Sequence, residues 1–233
     1  MNLLAFDTST DTLSIAVQHG DGVWQHQGPG GAQASAALIP AVRALMAQAG
    51  LTFDTLDAVV FGRGPGSFTG LRTACAVAQG LAFGARHGQG VPVLPVDTLL
   101  AVAEEARHQH GCTQVQAVLD ARMNEVYSAP CEWRDGQWQV PADFALGAPE
   151  RVAVPPGWTL AGSAAAAYPG RLAGAPGLAL LPTATALLRL APALWQAGRA
   201  VPAEQALPLY IRDKVAQTTA EREADKAARQ AQS

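Results

Sequence analysis

Charge is scarce in this chain. Of its 233 residues only 15% are Asp, Glu, Lys or Arg, and the net charge is −3. With a pI near 5.9, that balance argues against a protein that grips nucleic acid by itself. Cysteine is scarcer still. Cys75, Cys112 and Cys131 are odd in number, far apart and never in a CxxC pair, so reduced structural thiols are expected rather than a disulfide framework. The hydrophobic share of 49% is swollen by alanine, and no run of about 18 apolar residues escapes a charge, a proline or a glycine cluster. A membrane-spanning helix is therefore not expected. The first residues, Met1 to Asp7, show no basic region and no cleavage site, which predicts a cytoplasmic protein. The length suffices to bury one large core or two small ones.

What the chain does have is a stretch around which the rest is organised, residues 59–83. It opens as an uncharged β-branched and aromatic strand and then places Gly62, Gly64, Pro65 and Gly66 around Arg63, an irregular loop. Ser67 or Thr69 can cap the helix that follows, expected over 69–84. Gly70, Ala74 and Ala78 recur at i+4 steps on that helix, with Ala76, Gly80 and Gly84 on a neighbouring row. Two rows of small side chains suit a close helix–helix contact. A phosphate cradle is the competing reading of strand, glycine loop and helix. A P-loop, however, needs Lys and Ser/Thr after its last glycine, and Gly70 is followed by Leu71 and Arg72. Pro65 also removes an N–H, and no glycine stands two before Ser67 as a nucleophile elbow requires. The stretch therefore reads first as a structural turn feeding an interface helix, with direct anion contact as the alternative.

In chain order, strands are expected at 3–6, 13–17 and around Val23, then a loop at Gly28 and a helix over 33–49. Leu38, Val42 and Leu45 form that helix's stripe, Gly50 its stop, and Pro40 should kink it or start its regular part. Strands at 55–61 and 91–96 and a helix over 98–110 follow. A repeat then appears. An apolar strand ends on Asp7 and turns back as a strand, and Gln116 to Tyr127 does the same through Asp120. Each hairpin leads to an Asp-Gly-x-Trp turn, at Asp21 and at Asp135; the two aspartate pairs lie 113 (7 to 120) and 114 (21 to 135) residues apart. Residues 140–177 are rich in Pro, Gly and Ala with few periodic positions, and the helix over 184–197 should be interrupted by Pro192. The division expected is a first lobe at 1–100 carrying the interface helices, a smaller second lobe at 101–215 whose last segment returns to the first, and a charged tail at 216–233.

Two halves that each open strand–aspartate–turn–strand resemble the fold shared by actin, Hsp70 and the sugar kinases (the ASKHA fold): α/β, two similar lobes, the second reduced here. In that fold the turn after the first strand contacts phosphate or metal, which makes Asp7, Ser9 and Asp120 candidate phosphate or nucleotide contacts, functional or vestigial. The resemblance narrows with four segments in family order. They are Phe61 to Arg72 (with Gly62, Arg63, Gly64, Pro65, Gly66, Ser67, Phe68, Thr69, Gly70 and Arg72), Ala78 to Ala82, Asp120 to Tyr127, and Pro208 to Arg212. Together they resemble the TsaB (YeaZ) family. These are dimerisation subunits of the bacterial machinery that makes N6-threonylcarbamoyladenosine at position 37 of tRNA.

The resemblance implies a subunit without catalysis of its own. The catalytic relative, TsaD, holds a metal through two histidines four apart at a helix start; here Thr98 and Val102 stand in those places, and neither ligates as imidazole does. His108 and His110 are two apart on a helix and point to different faces, while His19, His26 and His87 read as loop or surface residues. No metal or cofactor of its own is expected, ATP and metal belonging to the partner subunits. The implied partners are TsaD, through a four-helix contact, and the ATPase TsaE, with a homodimer when the chain is alone, tRNA reached only through the complex, and no membrane. Leu38, Val42 and Leu45 of the first helix and Ala74, Val77, Ala78 and Leu81 of the second are the interface residues this predicts, so that Ala74→Arg should break the complex and spare the monomer. The first helix departs from the family in being alanine-rich where a polar stretch with histidine is usual. The alternative function is an ASKHA-type ATPase or kinase-like protein using Asp7 for nucleotide.

Overall fold

The computed structural model describes residues 1–172 and 177–212. The tail expected at 216–233 lies outside them. Strands β1 (Leu3–Asp7) and β2 (Thr12–His19) form an antiparallel hairpin, with Asp7 opposite Ser14. β3 (Gly22–Pro29) pairs antiparallel with β2 and runs through the loop expected at Gly28. Helix α1 (Ala34–Gln48) leads to β4 (Ala58–Gly64), parallel to β1, and helix α2 (Phe68–Gly88) leads to β5 (Val93–Asp97), parallel to β4. The first sheet thus has the order β3-β2-β1-β4-β5.

After helix α3 (Thr98–His110) the plan repeats. β6 (Gln114–Asp120) and β7 (Val126–Arg134) form the second hairpin, and β8 (Gln137–Gln139) extends it, with β9 (Ala145–Gly147) also on β7. β10 (Thr159–Ala161) lies parallel to β6 as β4 does to β1, giving β10-β6-β7-β8. Where the first sheet adds β5, the second has a single parallel bridge, Ala161 to Leu178. Helix α4 (Ala164–Ala167) is one turn, and helix α5 (Ala184–Gln196) runs past Pro192 without interruption. This is an α/β fold of two similar lobes, the second reduced.

Strand parity decides which face each residue meets. Leu4 and Phe6 of β1 pack with Ile15, Leu38, Val42 and Ala78 beneath α1 and α2. Leu3 and Ala5 face the other way, onto Leu100, Leu187 and Leu190 of α3 and α5. The chain therefore returns to the first sheet at α5, earlier than the segment from Leu207. α3 is wedged between the sheets: Leu99, Val102, Ala103 and Ala106 pack on Leu119 and Tyr127 of the second. Its ends match the sequence because Gly111 closes it in the left-handed conformation at φ 71°. Buried Glu104 and Glu105 on α3 receive Arg189 of α5, Nε to Glu104 Oε1 at 3.0 Å and Nη2 to Glu105 Oε1 at 2.7 Å. Burial pushes both carboxyls up, but hydrogen bonds from Arg107, Trp138 and Arg189 (Glu104) and from Thr183, Arg189 and Gln109 (Glu105) outweigh it and hold them below the usual range. α1 stays continuous through Pro40, and α2 is regular only to Gly84, since Ala85 is extended and Arg86 and His87 are left-handed. No described helix is long and apolar enough to cross a membrane.

Candidate functional site

The two hairpin turns face one another across a cleft of about 540 Å³. Ser9 and Thr10 come from the first turn, Asp120 and Arg122 from the second, Ser67 from the start of α2 and Ser163 from the loop after β10. Arg122 crosses between the lobes, Nη2 to Asp11 Oδ2 at 2.6 Å, and also meets Asp120 at 3.1 Å. Asp120 Oδ1 accepts from the Arg122 N–H and the Tyr168 hydroxyl, both at 2.8 Å. Burial and that bond to Asp120 push the Tyr168 phenol up to about 12.

Asp7 is not in the cleft. As a Leu3-parity residue it points under the turn, fully buried, where Oδ1 accepts from Ser9 N at 2.9 Å and Ser9 Oγ at 2.7 Å. Its Oδ2 has no hydrogen-bond partner among the described residues and lies against Gly62, where any Cβ would collide with it. Burial pushes its carboxyl up to about 6 in spite of the two bonds from Ser9. Of the candidate phosphate contacts, Ser9 and Asp120 line the cleft, while Asp7 braces the turn.

The glycine loop is a packing device. A side chain at Gly70 would collide with the Thr8 carbonyl, and Thr8 Oγ1 donates to the Gly70 carbonyl at 2.6 Å. The Ser67 N–H donates to the Ser9 carbonyl at 2.7 Å, and Ser67 caps α2 by accepting from Gly70 N. Arg63 Nε pairs with Asp97 at 2.6 Å. The loop's polar groups thus hold the first turn and the start of α3. The place of the relative's metal histidines does not fit a metal: Thr98 is buried with its hydroxyl donated to the Pro65 carbonyl, and Val102 offers no ligand atom.

α2 has two unlike faces. Gly70, Leu71, Ala74, Cys75, Ala78 and Ala82 are buried on the sheet, while Arg72, Ala76, Gly80 and Gly84 are exposed on the opposite row. A Cβ at Gly80 or Gly84 would meet nothing within 4 Å. Phe83 stands 73% exposed and Phe68 41%, at the two ends of that face.

A family model described as TsaD, tRNA N6-adenosine threonylcarbamoyltransferase, matches residues 26–230. The chain is 35% identical over 228 residues to the tRNA threonylcarbamoyladenosine biosynthesis protein TsaB of Escherichia coli, covering 93% of this chain and 96% of that one. The chain belongs to the TsaB (YeaZ) family. The TsaB of Haemophilus influenzae is 41% identical over 127 residues, 54% of this chain and 52% of that protein. Among solved structures, YeaZ from Pseudomonas aeruginosa superposes with a TM-score of 0.82 at 41% identity, covering 90% of this chain and 99% of that one.

For this TsaB-family chain the predicted interface residues need correction. Leu38, Val42, Leu45, Ala74 and Ala78 are core residues of the first lobe, and only Val77 and Leu81 remain half-exposed. Each helix turns its apolar stripe to its own sheet, as an α/β layer demands. Ala74→Arg would therefore disrupt the monomer. The sequence names the Ala76 row as a close-contact row but gives no surface role to Phe68, Arg72 or Phe83. The signal that could have found them is Arg72, a charge on the Ala76–Gly80–Gly84 row, which marks that row as the wet one.

Proposed function

We propose that this chain is a non-catalytic subunit in the formation of N6-threonylcarbamoyladenosine at A37 of tRNA, acting in the cytoplasm. Its similarity to the E. coli TsaB along nearly its whole length carries the reading. It docks through the open face of α2, Phe68, Arg72, Ala76, Gly80 and Phe83, onto the catalytic subunit TsaD, and pairs with a second copy when alone. Burying such an apolar face favours association by about 25 cal/mol per Å² before the entropy cost of docking. TsaE joins the pair, TsaD uses threonylcarbamoyl-adenylate as donor, and ATP and metal reside on those partners. Val102 and the engaged hydroxyl of Thr98 support the absence of metal chemistry here. Asp7, sealed under Ser9, weakens the nucleotide-binding alternative.

The test is threonylcarbamoylation of a tRNA that reads ANN codons, reconstituted with and without this chain and quantified as the nucleoside by mass spectrometry. Product that requires this chain supports the reading. Product that forms equally well without it removes the assignment.

A further inference from the structure

Residues 206–212 run from α2 to the second lobe and touch both ends of the molecule's working surface. The Ala206 carbonyl accepts from Gln79 Nε2 at 2.8 Å and from Cys75 Sγ at 3.1 Å, both on α2. The Leu209 N–H donates to the Arg63 carbonyl in the glycine loop at 2.7 Å. Tyr210 stacks on Phe68 with centroids 5.2 Å apart, and the Arg72 guanidinium lies 5.3 Å from the centroid of the same Phe68 ring. Ile211 then packs into the second lobe's core. Arg212, nearly buried, directs Nη2 to the carbonyls of Ala121 at 3.1 Å and Arg122 at 3.4 Å and to Glu125 Oε2 at 2.5 Å.

The turn that Arg212 clamps is strained. Arg122, Met123 and Asn124 stand consecutively in the left-handed region, φ 61°, 55° and 58°, although none is glycine. That conformation crowds Cβ against the carbonyl and persists where the surroundings enforce it. The same turn carries Arg122, whose contact with Asp11 spans the cleft.

We infer that residues 206–212 are a strap coupling the open face of α2 to the cleft. A partner held over Phe68, Arg72 and Tyr210 favours the docked strap. The docked strap keeps the 121–125 turn left-handed and Arg122 on Asp11. The coupling is reciprocal, so loosening the turn weakens docking by the same factor. This rests on the reading of α2's open face as the docking face.

Two amides report the turn: Ala121, donating to the Glu125 carbonyl at 2.9 Å, and Glu125, donating to the Arg122 carbonyl at 3.0 Å. Hydrogen exchange is followed on the full chain for wild type, Arg212→Gln and Tyr210→Ala. Both variants are expected to speed exchange at these amides by about tenfold or more while the β1 amides stay protected. Turn amides unmoved by Tyr210→Ala, which perturbs only the α2 end, would overturn the strap. Adding TsaD should slow the two amides in wild type and leave them fast in Arg212→Gln. Size measurement on the same samples separates the failures. With no complex, the docking face falls and the coupling with it; a complex that leaves both amides unchanged overturns the coupling alone.

Discussion

Replacing Asp7 by Asn should stabilise the protein at neutral pH, and the gain should vanish in acid. The carboxyl is fully buried, with Oδ2 unpartnered among the described residues, and burial raises it from 3.8 to about 6. A carboxyl raised in the native state binds more protons folded than unfolded between those two values. Wild-type stability therefore falls as pH rises through that window, and the full cost is present above about 6. At 1.36 kcal/mol per pH unit, that cost is about 3 kcal/mol at pH 8. Asn keeps an acceptor for the two Ser9 bonds, though a weaker one, and its amide finds no acceptor against Gly62, so about 1 kcal/mol or more is returned. These offsets do not titrate. The stability difference between Asp7→Asn and wild type should accordingly change by about 2.5 kcal/mol between pH 4 and pH 8, whatever its absolute value. Urea unfolding of both proteins at each pH, with the slope held common, measures it. A difference independent of pH would refute the placement of Asp7 and with it the exclusion of that carboxylate from the cleft.

Two further substitutions follow from the packing. Ala74→Arg should lower stability by about 4 kcal/mol or more, because it drives a charge into the first core, whereas Ala76→Arg on the wet face should stay within about 0.5 kcal/mol. Thermal unfolding checks both, and Ala76→Arg should be the variant that loses TsaD in a pull-down. Arg189→Met should cost about 3 kcal/mol at pH 7, since it leaves buried Glu105 without a cation while Glu104 keeps Arg107. The two glutamates are held below 4.5 in the native protein, so the stability they contribute is lost as pH falls. The deficit of Arg189→Met should therefore shrink below about pH 4.5, seen in parallel acid titrations of the two proteins.

The elements that were legible in the sequence are those with their own punctuation. The α3 range of 98–110 agrees with the helix expected there and ends at Gly111, and the repeated hairpins follow from aspartates that end apolar strands. Which row of α2 is buried is not legible from residue size alone, because Gly70, Ala74 and Ala78 are as small as Ala76, Gly80 and Gly84, leaving almost no contrast in apolar area. The stripe of α1 is legible in the sequence but its neighbour is not: Leu38, Val42 and Leu45 meet the sheet rather than the partner expected for them. Proline interrupts less than its place in the sequence predicts. Pro192 sits on the exposed side of α5 while Leu187, Leu188 and Leu190 are buried, and that apolar burial outweighs one missing hydrogen bond.

The repeat explains why the two aspartates at equivalent places behave differently. Asp7 and Asp120 each end the first strand of a hairpin, and each accepts from the N–H two residues on, Ser9 and Arg122. In the first lobe α2 closes on the Thr8 side of the turn through Gly70, while Asp7 points to the other face of the sheet, where Oδ2 lies against Gly62 of β4 beside Thr98 of α3. In the second lobe the helix after β10 is a single turn, so the ground above Asp120 is left to the Tyr168 hydroxyl at 2.8 Å and to Arg122 at 3.1 Å. The first carboxylate is thus buried under its sheet beside the start of α3, and the second stays at the cleft. The length of α2 also creates the open face on its far side, Phe68 to Phe83. One helix thus fixes Thr8 and Ser9 of the first turn and supplies the surface from which the proposed assembly is built.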